Sequence, residues 1–152
     1  MPVDDEVPSD VKPKSKYMWF PQHVCFAACG GIIGLAWQEA IPAPVGLLGL
    51  GLFFLLQVVI VPNLIVRLLG AVLTGVVANA VACFWMPDSI AYLAKCETLA
   101  ATATAVLVYF LQSLPYLSFA SACHFVRSEE SRWLLIPVIW FVSELLVTPI
   151  LP

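Results

Sequence analysis

Between Glu39 and Asp88 the chain carries a single charged residue, Arg67. A stretch that long without charge has no polar face to offer water, so it constrains the fold more than any local motif does. The rest of the chain agrees. Of 152 residues, 61% are apolar and 11% are charged, against roughly 45–50% and about 25% in soluble domains. Mean hydropathy is +0.94. A soluble domain of this size still leaves roughly 30% of its chain surface in water, and this composition has too little polar surface to cover it. A bilayer removes the difficulty by being the solvent.

The apolar residues run continuously instead of alternating with period two, which favours helices over a barrel. In lipid a helix also satisfies every backbone N–H and C=O within one segment. The expected fold is all-α: a polytopic transmembrane helical bundle of about five spans, forming one domain over residues 17–152. Residues 1–16 are polar and interrupted by Pro2, Pro8 and Pro13, and are expected to be a disordered cytoplasmic tail. The first span covers about 17–37. It follows basic residues as a signal peptide would, but its acidic head, its length and the lack of an A-x-A site favour a retained helix. Pro42 and Pro44 precede a second span at about 45–61, and Pro62-Asn63 ends it. The third covers about 68–86 and stops at Pro87-Asp88. The fourth, about 98–126, exceeds the roughly 20 residues a bilayer needs, and Pro115 predicts a kink within it. The charged stretch Arg127–Arg132 reads as a loop before a fifth span at about 133–151.

Lys and Arg set the orientation. With the tail in the cytoplasm, the inner segments hold Lys12, Lys14, Lys16, Arg67, Arg127 and Arg132, and the outer ones hold only Lys95. The expected N-terminus is therefore inside and the C-terminal end outside. Trp19, Trp37, Trp85 and Trp133 fall near span ends, as an interfacial aromatic belt would.

The net charge of −3 and the lack of a basic groove exclude nucleic acid as a partner. Cys25, Cys29, Cys83, Cys96 and Cys123 are an odd set without paired spacing, suited to apolar packing more than to disulfides or zinc. His23 and His124 have no carboxylate at ligand spacing, so no metal and no cofactor is expected. Lys95-Cys96-Glu97 reads as a plain loop, and Glu39, Asp88 and Glu97 as solvated interfacial groups. No Ser-His-Asp set or phosphate loop is present, and no catalytic residue is assigned. Gly30-x-x-x-Gly34, Gly46, Gly49, Gly51, Gly70 and Gly75 are small residues that let helices approach closely in lipid. They suit packing within the bundle first and a helix–helix partner second. Thr74 and Asn79 are expected to make packing hydrogen bonds. Glu144 lies within the fifth span, and an ionisable group there is a functional candidate by default. The alternative is a structural glutamate hydrogen-bonded inside the bundle.

Three stretches in order resemble the N-terminal membrane region of bacterial apolipoprotein N-acyltransferases. They are Ala28-Cys29-Gly30-Gly31 through Pro42-Ala43-Pro44 to Leu50, Leu69-Gly70-Ala71 through Phe84-Trp85-Met86-Pro87-Asp88-Ser89-Ile90, and Ile136-Pro137-Val138-Ile139-Trp140-Phe141-Val142-Ser143-Glu144. The last, with its Pro-x-x-Trp-x-x-x-Glu pattern, is the most specific. The resemblance covers about residues 26–152 and implies a multi-pass protein of the bacterial inner membrane that works in lipoprotein biosynthesis. In that family a phospholipid donates an acyl chain to the N-terminal amine of a diacylated lipoprotein, through a cysteine thioester on a separate nitrilase-like domain. The Glu, Lys and Cys of that domain have no counterpart in these 152 residues, which implies a membrane-anchoring fragment or truncated relative without activity alone. The competing expectation is a small helical membrane subunit, scaffold or transporter component.

Overall fold

A computed structural model of the chain describes residues 19–60, 63–126 and 128–147. The described residues are helical, with no strand among them. The tail expected at 1–16 lies outside them, as do Arg127 and residues 148–152 of the expected fifth span.

Seven helices follow in chain order: α1 (Trp19–Trp37), α2 (Ala43–Leu55), α3 (Leu64–Ala82), α4 (Met86–Ala94), α5 (Thr98–Gln112), α6 (Leu114–Phe125) and α7 (Glu129–Val147). The last turn of α2 widens into a π-helical segment, Leu56–Ile60. Two helical stretches are long and apolar enough to cross a membrane, Leu64–Ala82 and the nearly continuous Thr98–Phe125; Gln22–Trp37 and Ala43–Val59 are shorter apolar helices.

Several boundaries differ from the sequence expectation, each for a local reason. Helix α3 begins four residues early because Asn63 caps it, its Oδ1 accepting from the Ile65 N–H at 2.9 Å, as N-cap residues do. Arg67, expected in a connection, is thereby carried onto α3 and buried, 4% exposed. Pro87 does not merely stop the third span. It occupies the first turn of α4, where its missing N–H costs nothing, and so starts a short helix where a loop was expected. Helix α7 likewise starts inside the charged stretch, with Ser128 Oγ accepting from the Ser131 N–H at 3.4 Å. The fourth expected span is broken at Ser113, just before Pro115 opens α6.

Packing places the helices end for end. Helices α1 and α3 run parallel, Phe26 lying on Gly70 and Gly34 on Ala78 and Val81. Helix α2 runs back along α1, Gly46 against Ala36 and Gly49 against Ile32. The α5–α6 pair runs back along α3, with Gly75 against Ser113 and Tyr116. Helix α7 returns along α6. One end of the bundle therefore holds the start of α1, the α2–α3 turn and the α6–α7 turn. The other holds Trp37, Cys83 and the α4–α5 hairpin.

Candidate functional site

The seam between α1 and α3 is built on small residues. A Cβ added at Gly30 would collide with the Thr74 carbonyl oxygen, and one at Gly34 would lie 2.7 Å from Val81 Cβ. The two backbones touch because these positions have no side chain. Thr74, fully buried, has its hydroxyl 2.9 Å from the Gly70 carbonyl and 3.0 Å from the Phe26 carbonyl across the seam. Asn79 Nδ2 donates to the Gly75 carbonyl at 2.8 Å. Thr74 thus makes an interhelical packing bond, whereas the Asn79 bond stays within α3. Gln38 closes the seam at its far end by donating to the Val81 carbonyl.

A second contact zone, unforeseen as a unit, is aromatic. Phe53 and Phe54 of α2 meet Tyr116 and Phe119 of α6 and Trp140 of α7. Ring centroids are 5.4 Å apart for Phe53–Tyr116, 4.8 Å for Phe54–Phe119, 5.5 Å for Phe54–Trp140 and 5.1 Å for Tyr116–Trp140. These spacings and their tilted or edge-on geometries are the favoured ones. The Trp of the Pro-x-x-Trp-x-x-x-Glu pattern is therefore a packing residue in this bundle. Pro137 lies inside α7. The backbone of Glu144 is on the same helix, one turn past Trp140; its side chain lies outside the described part of the structure.

Next to the aromatic zone, in the π-helical segment, Gln57 is completely buried. Its Nε2 donates to the Arg67 carbonyl at 3.1 Å, while its Oε1 has no hydrogen-bond partner among the described residues. Flipping the amide would set two acceptors face to face, so the orientation is fixed by that bond. Sequence reading passed over Gln57, although a glutamine in an otherwise apolar run was the available signal.

His23 is half-buried and His124 exposed, and Glu39, Asp88, Lys95 and Glu97 are exposed. Cys25 is exposed, Cys29 and Cys123 are buried, and Cys83 and Cys96 are intermediate. Among the described residues no three His, Cys, Asp or Glu side chains gather to hold a metal.

What the bundle does present is grooved apolar surface. A cavity of about 310 Å³ lies between Cys25–Ile32 of α1 and Leu52–Leu56 of α2, lined by apolar side chains and the two thiols. A second, about 260 Å³, lies between Ile33–Trp37 and Ala43–Leu50. Around them Leu47, Leu48, Leu52 and Val59 are exposed. The exposed Thr102 and Thr104 hydroxyls turn back onto the carbonyls of Thr98 and Ala100, each at 2.8 Å. The chemistry this surface suits is contact with hydrocarbon. No family model matches the chain, and no curated protein or solved structure matches it either.

Proposed function

We propose that the chain is a lipid-embedded bundle that crosses the bacterial inner membrane five times from a cytoplasmic N-terminus, and that it forms the membrane-anchoring part of a phospholipid-dependent apolipoprotein N-acyltransferase. The observation that carries the membrane reading is the exterior of the bundle. Its exposed large side chains are apolar over several helices, from Leu47 and Leu48 on α2 to Ile65 and Leu69 on α3 and Val138 and Phe141 on α7. The exposed Thr102 and Thr104 satisfy their own hydroxyls within the helix, so these polar side chains on α5 do not depend on water. Water would penalise such a surface by about 25 cal/mol per Å² of apolar area. Arg67 lies near the start of α3, at the end of the bundle opposite Lys95, which supports an inward N-terminus.

The acyltransferase part rests on the sequence resemblance. In this reading the bundle holds a separate catalytic domain at the outer surface, and the two grooves beside α2 receive acyl chains of the phospholipid donor. Glu144 is the polar group retained within the fifth crossing.

The direct test joins this chain to the nitrilase-like domain of an acyltransferase and measures N-acylation of a diacylated lipoprotein in membranes. Activity is expected from the fusion and none from the purified 152-residue chain. Acyl transfer by the chain alone, or a stable fusion that is inactive, overturns the acyltransferase reading and leaves a membrane subunit or scaffold. In an active fusion, Glu144→Gln and Glu144→Leu separate the two roles of that residue. A proton-handling role loses activity in both variants, and a hydrogen-bonding role survives in Gln.

A further inference from the structure

The α4–α5 hairpin has no counterpart elsewhere in the bundle. Tyr109 Oη donates to the Cys83 carbonyl at 2.6 Å, tying α5 to the C-terminal end of α3. Gly75 packs on Ser113 in this antiparallel pair, so Cys83 is level with about residue 105, and residues 98–104 of α5 extend beyond α3 by about 10 Å at 1.5 Å per residue. Helix α4 runs beside this extension and buries none of its own side chains. On α5, Ala101 and Ala105 are fully buried.

Outward the hairpin shows large apolar side chains at high exposure: Tyr92 83%, Leu93 78% and Leu99 79%, with Trp85 at 50% beside them. Its charges are confined to Asp88 in the first turn of α4 and to Lys95 and Glu97 in the connecting turn. Trp37, 70% exposed, lies at the same end of the bundle.

Water does not suit this surface, because three large apolar side chains would stay almost fully hydrated. The deep hydrocarbon core does not suit it either, because three charges would be drawn in with them. The surface fits the boundary between headgroups and acyl chains, where Trp and Tyr collect and short amphipathic helices lie. The self-bonded hydroxyls of Thr102 and Thr104 on the outer side of α5 suit lipid there better than a protein partner, which would use them. We infer that the α4–α5 hairpin is an interfacial membrane anchor. It lies in the leaflet at the Trp37 end, with Tyr92, Leu93 and Leu99 dipped into acyl chains and Asp88, Lys95 and Glu97 among the headgroups. This rests on the lipid-embedded reading above and adds a lipid-contact surface to it.

The test places single nitroxide labels at Leu93, Leu99 and Lys95, and at Leu48 on α2 as reference, in the full chain with its cysteines replaced. The protein is reconstituted in phosphatidylethanolamine–phosphatidylglycerol vesicles, and collision with oxygen is compared with collision with a water-soluble nickel chelate. Oxygen is expected to dominate several-fold at 93 and 99, and the two to be balanced at 95. Nickel dominating at 93 and 99 while oxygen dominates at 48 overturns the anchor and leaves the membrane reading standing. Exclusion of both reagents at 93 and 99 means a protein covers the hairpin and also overturns it. Nickel dominating at 48 as well sinks both readings. If the cysteine-free chain does not fold, a benzophenone side chain at position 93 in the otherwise native chain answers the same question. Adducts to lipid are expected; adducts to protein, or none, overturn the inference.

Discussion

Along α1 and α3, Gly30 and Gly34 set backbone against backbone, with Thr74 bonding across. Where α2 meets α6 and α7, Phe53, Phe54, Tyr116, Phe119 and Trp140 fill the space with rings instead. In water both zones would draw on the hydrophobic effect. In lipid neither does, because a ring leaving hydrocarbon for a protein interior gains nothing by transfer. What remains is closeness of fit: one zone works by having no side chains in the way, the other by having no gaps. The first should fail when atoms are added and the second when they are removed.

The sharpest way to break that contrast is Gly30→Leu. Its Cβ meets a backbone oxygen, and a backbone cannot rotate away. A loss of about 3 kcal/mol or more is expected, read as a failure to recover folded protein in detergent. Phe53→Ala should come next, at about 2 kcal/mol by denaturant titration, the cavity share of a large-to-small change once the transfer share is discounted. Phe53 is completely buried, so a smaller effect would mean the ring zone collapses easily. Thr74→Val keeps the shape and removes the hydroxyl, and a loss of about 1 kcal/mol is expected for an interhelical bond in lipid. The smallest effect has the opposite sign. Nothing lies within 4 Å of a Cβ at Gly51, so Gly51→Ala should stabilise by about 0.5–1 kcal/mol through helix propensity alone. If Gly51→Ala proved as damaging as a change at Gly30, closeness of approach would not be what distinguishes the glycines.

The glycine seam was legible because its signal, Gly30-x-x-x-Gly34, survives in a uniformly apolar background. The ring zone was not. Its members sit in runs such as Leu50–Leu56 where every neighbour is also apolar, so no amphipathic period marks the inward face. Helix ends were misread for a different reason. Asn63, Pro87 and Ser128 each carry a helix-start signal, but each stands beside a charge or a proline that fits a loop equally well. Arg67 went the same way: its charge argued for a connection, while the Asn63 cap places it one turn into α3. At the candidate site, the interhelical bond of Thr74 followed from its residue type, whereas Asn79 bonds back within its own helix. The buried amide of Gln57 depends on the π-helical turn that orients it, which no spacing announced.

The central claim is that the chain threads a bilayer five times from an inward N-terminus. Paired alkaline phosphatase and β-galactosidase fusions after Ile41, Asn63, Cys96 and Ser128 test it most directly. The account predicts active phosphatase after Ile41 and Cys96 and active galactosidase after Asn63 and Ser128, all in the membrane fraction. Galactosidase activity at all four junctions, or recovery of the chain in the soluble fraction, would contradict it.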